Sequence, residues 1–222
     1  MKASYVYDGD TFKLADGRKI RLIGINTPEL GHEDRADEPG AEMARQQLKT
    51  ILSASQNQVR LKLGREQQDR YKRYLAHPYN LAGKNITELL LKEGAGYAIA
   101  IPPNQQNLAC YQAAEASARA ADLGVWKNGP SVRDVRKMDG QEEGFYLIQG
   151  QIERIGKGRR ALWLNLRQGP AIRIDWTDWD NFKGWNPDDL LGKRLEARGW
   201  IYRRKGQQRM QIRHPAAIQW LD

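Results

Sequence analysis

Hydrophobic and polar positions change their spacing several times along the first 130 residues, and each change predicts an element. Met1 to Leu14 and Lys19 to Ile25 read as strands around a turn at Asp16-Gly17. Glu33 to Gly40 is charged and broken by Pro39, the composition of an exposed loop. After Pro39-Gly40, apolar residues recur at Ala41, Ala44, Leu48, Ile51 and Leu52, one face of a helix. Val59, Leu61 and Leu63 then alternate as one side of a strand, and Tyr71 to Tyr79 predicts another, with Pro78 at its end. A short helix follows at Ile86 to Lys92, closed by Gly94. An alanine-rich helix runs from Asn107 to Leu123, stopped by Gly124.

The pattern changes again after Lys127. A charged stretch with Gly129-Pro130 and Gly140 predicts a linker over 129–143, between a first domain at 1–128 and a second at 144–222. Short strand candidates then dominate: Phe145 to Ile155, Ala161 to Arg167, Ala171 to Trp176, Arg194 to Tyr202 and Arg209 to Ile212. A helical or loop piece at Asp178 to Leu191 interrupts them, an order that suits a second small OB-like barrel. Six of the seven tryptophans fall in this half. Alternation within strands predicts that some of Trp163, Trp176 and Trp200 are core, and that Trp179 and Trp185 are exposed. No internal repeat is visible in the sequence.

Charge sharpens this division. The net charge is +9, and residues 150 to 222 hold 15 Lys/Arg against 8 Asp/Glu, so most of the excess belongs to the second half. A basic surface suits an anionic partner, nucleic acid being the commonest, and also suits simple solubility. The basic turns Lys157, Arg159, Arg160 and Arg203, Arg204, Lys205, with aromatics nearby, are candidates for binding single strands by phosphate attraction and stacking. Structural support is the competing role for this half. The single cysteine, Cys110, excludes an internal disulfide framework and a cysteine-based zinc site, and its helical setting suits a small buried residue. No apolar run is long enough to span a membrane. Polar residues begin at once, so no export segment is evident. The expectation is a cytoplasmic protein, or a secreted or periplasmic one from which such a segment has been removed. The chain is expected to act as a monomer.

Unusual polar residues cluster in the first half: Asp8, Asp10, Arg21, Asn26, Thr27, Glu29, Asp69, Arg70, Tyr71 and Arg73. A closed barrel brings strand ends together into one pocket. Asp10, the Asn26 side-chain oxygen and a loop carbonyl are donors for a hard cation such as Ca²⁺. Two arginines suit a phosphate, and Glu29 suits a proton acceptor for water. Together they describe metal-assisted phosphodiester hydrolysis. The same residues also allow a turn with Asx hydrogen bonds at Asp8 to Thr11, a cap at Thr27-Pro28-Glu29 and arginines in surface ion pairs. The residues alone leave both readings open.

Three stretches in order, DGDT at Asp8 to Thr11, RLIGINTPE at Arg21 to Glu29 and DRYKRYLA at Asp69 to Ala76, resemble the staphylococcal nuclease (thermonuclease) family. KNITELLLKEGAGYA and the alanine-rich helix ending in LGVW follow the same order, so the resemblance covers about residues 4–126. It implies a mainly β fold with α: a five-stranded OB-type barrel with three helices. It also implies a calcium-dependent phosphodiesterase, with another divalent cation as an option. Such an enzyme cuts single-stranded DNA and RNA and leaves 3′-phosphate and 5′-hydroxyl ends. Carried over by position, Asp10 and the residues at 26 and 27 bind the metal, Thr27 through its carbonyl. Glu29 is the general base or water-orienting group. Arg21 binds the phosphate and Arg73 stabilises the transition state. Arg70 stands where a phosphate-contacting lysine is usual, and Tyr71 hydrogen-bonds a terminal phosphate. Ala98 to Pro102 holds no aromatic to match the tyrosine usual on the far pocket wall.

Asn26 departs from the family pattern, which has an aspartate there. Asparagine keeps an oxygen in place and removes a negative charge, so a weaker calcium site is expected. Arg21, Glu29 and Arg73 are all retained. The leading expectation is therefore an active nuclease with a relaxed metal requirement. The alternative is a weak or inactive nuclease-fold protein that binds nucleic acid or a protein partner.

Overall fold

The computed structural model describes residues 1–31, 36–127 and 132–222, which divide into two compact units, Met1–Pro130 and Ser131–Asp222. The first unit opens with strands β1 (Ala3–Val6), β2 (Thr11–Leu14), β3 (Lys19–Leu22) and the two-residue β4 (Ile25–Asn26), then helix α1 (Ala41–Ser53). Strands β5 (Arg60–Gln68) and β6 (Tyr74–Tyr79), helix α2 (Ile86–Lys92), strand β7 (Tyr97–Ala98) and helix α3 (Leu108–Ala120) follow. β1, β2 and β3 form an antiparallel meander. β6 runs parallel to β3 and pairs antiparallel with β5, giving the order β1-β2-β3-β6-β5. The barrel closes where Ala3 N–H donates to the Asn57 carbonyl at 2.7 Å and Val59 N–H to the Met1 carbonyl at 2.8 Å. This is the OB-type barrel with three helices that the family resemblance implies.

Its core joins Phe12, Leu14, Ile20 and Leu22 of the sheet to Leu48 and Leu52 of α1 and Leu90 and Leu91 of α2. Each such side chain contributes about 1.5–3 kcal/mol through burial. α1 buries Ala41, Ala44, Leu48 and Leu52, the spacing of one helical face. α2 starts at Asn85, whose side chain accepts the Glu88 N–H at 3.2 Å, and stops before Gly94 in the left-handed region, φ 70°.

Two expectations are corrected here. The strand expected over residues 1–14 is two strands, because the Asp8 carboxylate accepts the Asp10 N–H at 2.9 Å and turns the chain back on itself. Pro78 is the penultimate residue of β6, opposite Leu61, and so falls at the strand's end as expected. A proline is tolerated there because the β3 ladder has already ended at Leu22–Ala76, so no neighbour needs its missing N–H. Cys110 is exposed, since α3 turns Tyr111, Ala114, Glu115 and Ala118 inward and leaves position 110 off that face. Leu63 is also 38 % exposed, as the β5–β6 ladder becomes irregular immediately after it.

The second unit contains strands β8 (Val132–Asp134), β9 (Gly144–Lys157), β10 (Ala161–Leu166), β11 (Ala171–Asp175), β12 (Arg194–Arg204), β13 (Gln207–Gln211) and β14 (Ile218–Trp220). β9, β10 and β11 form a meander, β13 runs parallel to β11, and β12 pairs with β13 and closes back onto β9. With only the five barrel strands of each unit numbered in chain order, both barrels run 1-2-3-5-4. The two units therefore share an OB plan that no sequence repeat reveals. The place of α1 is taken by 3-10 turns at Trp176–Phe182 and Pro187–Leu190.

Of the linker expected at 129–143, residues 129–131 lie outside the described residues, as do residues 33–35 of the expected loop at 33–40. The rest of the linker stretch belongs to the second unit: β8 pairs with β9, and Val135 is buried in the core. The tryptophan expectations reverse in part. Trp179 and Trp185 pack against the core in a run of ring contacts with Phe182, and Trp176 joins them. Trp200 is 42 % exposed, and Trp163 lies outside the core. Among the described residues, no helix is long and apolar enough to cross a membrane.

Candidate functional site

The polar residues of the first unit meet around the Asp8–Thr11 turn. Gly9 is required there by crowding: a Cβ would come within 2.5 Å of Ala44 on α1 and 2.8 Å of Thr27. With that turn pressed down, the Asp10 side chain points into the barrel end at 2 % exposure. Its Oδ2 accepts the Thr27 N–H at 3.0 Å and faces Arg21 Nη2 at 3.0 Å. Its Oδ1 accepts the Thr11 hydroxyl at 3.0 Å. Register explains the meeting, because Thr11 and Arg21 are cross-strand partners on β2 and β3.

Arg21 is fixed from the other side as well. Its Nη1 donates to the Leu22 and Ile25 carbonyls, each at 2.8 Å, and Nη2 lies 3.4 Å from Asn26 Oδ1. Asn26 and Thr27 are buried, and the β4–β7 pairing holds them from behind. Gly96 is part of that arrangement, because a side chain there would run into the Asn26 carbonyl. The loop leaving the site is tied across its base: Glu29 N–H donates to Glu38 Oε2 at 3.0 Å, and Glu38 N–H to the Glu29 carbonyl at 2.9 Å.

Arg73 arrives from the turn before β6. The Asp69 carboxylate accepts the Tyr71 N–H at 2.9 Å, the Arg73 N–H at 3.0 Å and Arg73 Nε at 2.7 Å. Burial pushes the Asp69 carboxyl up, but these bonds and the Arg73 charge outweigh it and hold the group below its ordinary value. Arg73 Nη1 then reaches Thr11 Oγ1 at 3.5 Å, beside Asp10. Tyr71 is 63 % exposed, and both Arg70 and Arg73 lie against its ring, 4.7 and 5.4 Å from the centroid. Arg70 also donates to the Tyr71 hydroxyl at 2.5 Å.

The carboxylates repel one another. Burial, then the charge of Asp10, pushes Asp8 up to about 7, with Glu29 adding to the effect. Burial and then Asp10 also raise Glu29, against the charges of Arg21 and Arg73. Among the described residues, no three His, Cys, Asp or Glu side chains stand close enough to form a ready-made metal cage. The donors nonetheless fit a hard divalent cation: all are oxygens, and Asp8 and Glu29 are held beside Asp10 at an electrostatic cost that a cation relieves.

Arg21, Asp10, Asn26, Thr27 and Glu29 thus share one end of the barrel, with Arg73 reaching in and Arg70 and Tyr71 at its edge. Two residues matter more than sequence reasoning suggested. Asp8 is a third carboxylate at the site, and Asp69 positions Arg73. The spacing of Asp69 and Arg73, four residues apart in DRYKR, is the signal that could have singled out the second. In the other unit, Lys157 is engaged by Asp188 at 2.7 Å and Arg203 by Gln141, while Arg159, Arg160, Arg204 and Lys205 are exposed.

A five-stranded OB barrel carrying two arginines and a knot of carboxylates at one end defines the class of fold and site. The family model for staphylococcal nuclease homologues matches residues 19–128. The chain is 33 % identical to a thermonuclease of Staphylococcus intermedius over 125 residues, covering 55 % of this chain and 73 % of that one. It is 31 % identical to a thermonuclease of Staphylococcus hyicus over 130 residues, 57 % of this chain and 75 % of the relative. It is also 30 % identical to endonuclease YhcR of Bacillus subtilis (strain 168) over 151 residues, 63 % of this chain and only 12 % of that much longer protein. The chain belongs to the staphylococcal nuclease family.

Proposed function

We propose that the first unit hydrolyses phosphodiester bonds in DNA, RNA or both. The observation that carries this reading is the flanking of Asp10 by two guanidinium groups, Arg21 directly at 3.0 Å and Arg73 through Thr11. One phosphate fits between such donors, which gain strength as charge builds on its oxygens in the transition state. Glu29, with its raised pKa, is a stronger base than an ordinary carboxylate and takes a proton from the attacking water. Arg73 faces the leaving side and steadies the departing oxygen. Cleavage of the P–O5′ bond gives 3′-phosphate and 5′-hydroxyl ends.

Asp10, the Asn26 side-chain oxygen and the Thr27 carbonyl would hold Ca²⁺ or another divalent cation. When bound, such an ion polarises a non-bridging phosphate oxygen and lowers the pKa of water. Asn26 is neutral, so Asp8 and Glu29 supply the remaining negative charge near that position. Single strands are the expected preference, because an exposed Tyr71 edge meets a strand end more readily than a paired duplex. Release of acid-soluble product from single-stranded DNA, with calcium, magnesium or chelator, tests the reading. Cation-dependent release with 5′-hydroxyl ends supports it, and no release under any condition removes it. The second reading, a nucleic-acid-binding protein with weak or no catalysis, rests on Asn26 and predicts strand binding without release.

A further inference from the structure

The second unit carries a sheet surface that shares only Arg204 with the basic turns Lys157 to Arg160 and Arg203 to Lys205. Trp163 sits on the outer side of β10, half-buried and outside the core. Arg209 lies over its ring at 4.9 Å from the centroid, and Arg173 at 5.8 Å. These three come from β10, β11 and β13, adjacent strands of the barrel, and register brings Trp163 opposite Arg173. Tyr202 on β12 is the cross-strand partner of Arg209 and faces the same way. Two residues further along β12, Arg204 is exposed on this side, and Arg154 of β9 flanks the other.

Three features separate this face from a merely structural sheet surface. Its cations outnumber its acids: Asp175 pairs with Arg173 at 2.6 Å, leaving Arg154, Arg204 and Arg209 without a partner acid within salt-bridge reach among the described residues. The Nε–H groups of Arg173 and Arg209 are buried and donate to no protein acceptor. Glycines also clear the approach to Trp163. Gly156 lies directly opposite it on β9, and a Cβ at Gly158 would come within 3.3 Å of the indole nitrogen.

We propose that the Trp163–Arg173–Arg209 face is a binding site for single-stranded nucleic acid. An unpaired base stacks beside Trp163, and Arg209, Arg154 and Arg204 take the flanking phosphates. A duplex offers no free base face to the indole, so single strands are favoured. OB barrels use this part of the sheet, between two strand-connecting loops, for oligonucleotides. The inference concerns the second unit and does not require the first to be catalytic.

The test is binding of a fluorescein-labelled (dT)20 to the full chain, read by anisotropy in chelator so that no hydrolysis occurs. Trp163→Ala is expected to weaken binding about tenfold, the scale of one stacked base, and Trp163→Phe to restore most of it. Arg209→Gln is expected to lower the slope of log K against log salt by about 0.7, the loss of one single-strand phosphate contact. Lys183→Gln, which removes a charge elsewhere on the unit, is expected to change affinity by less than twofold. Each variant is checked by thermal unfolding. The proposal is overturned if Trp163→Ala and Arg209→Gln, both folded, bind (dT)20 like the parent. It is also overturned if polyglutamate of matching charge competes as well as the oligonucleotide. Hydrolysis of a small chromogenic phosphodiester, measured in parallel, reports on the first unit alone, so the two readings fail separately.

Discussion

The Arg21 guanidinium lies 3.0 Å from the Asp10 carboxylate, with side-chain exposures of 12 % and 3 %. The pair is buried, and each partner has further hydrogen bonds: Arg21 to two backbone carbonyls, Asp10 to Thr27 N–H and the Thr11 hydroxyl. One contact therefore joins the turn, strand β3 and the loop after β4. Removing one side leaves an uncompensated charge in place. Asp10→Ala is expected to destabilise the first unit by about 3 kcal/mol and to abolish hydrolysis. Urea unfolding checks it, and an unchanged midpoint would show that the pair contributes nothing to the fold.

Asp69 touches no substrate position and acts through Arg73. Its carboxylate fixes both the turn and the guanidinium, so Asp69→Asn keeps the turn's acceptor and loses the charge that aims Arg73. Turnover is expected to fall about tenfold with little change in KM, since positioning matters most in the transition state. Asp69→Glu should recover less than half of this loss, because the longer side chain displaces the fork. Equal turnover in Asp69→Asn and parent would remove the positioning role.

Asp8 gives a pH signature. Its folded-state pKa is about 7 against an ordinary 3.8, raised by burial and Asp10. The folded chain thus binds a proton that the unfolded chain has released. Stability from this group is present below pH 3.8 and is lost as pH rises through about 7. Without a divalent cation, Asp8→Asn is expected to be more stable than the parent at pH 8 by roughly 2 kcal/mol, the difference shrinking towards pH 4. Calcium should narrow the gap at pH 8. A constant difference across pH would contradict the repulsion.

Asn26 is the neutral member of the proposed metal-binding set. Asn26→Asp adds a carboxylate beside Asp10 without changing the shape, and calcium affinity is expected to rise about tenfold. Isothermal titration reads this directly, with or without turnover. No gain in affinity would show that the neutral side chain is not what limits the site.

Much of this site was legible because its residues lie within short motifs at strand ends, where barrel closure must bring them together. The helices were legible for a similar reason, as α1 and α2 bury residues at helical spacing. Other features depended on neighbours that a one-dimensional pattern does not contain. The Asp8 carboxylate breaks an apparently continuous strand at residues 7–10. Cys110 faces solvent because Tyr111 takes the inward position, where its hydroxyl meets Asn85 at 2.9 Å and His77 at 2.7 Å. Alternation does not say which of Trp163, Trp176 and Trp200 are core, and Trp163 faces out because Leu162, Leu164 and Leu166 take the inner side of β10. The shared OB plan of the two units left no sequence trace, since topology is preserved by strand order rather than by particular side chains.

Arg73 and Glu29 are the two groups assigned to the transition state and to the water. The decisive measurement is the initial rate of single-stranded DNA hydrolysis with saturating calcium, for the parent, Arg73→Ala and Glu29→Gln, with folding confirmed for each. A fall of about 10²–10³ in each variant is expected from loss of a transition-state donor or of the base. Near-parental rates in both would contradict the site.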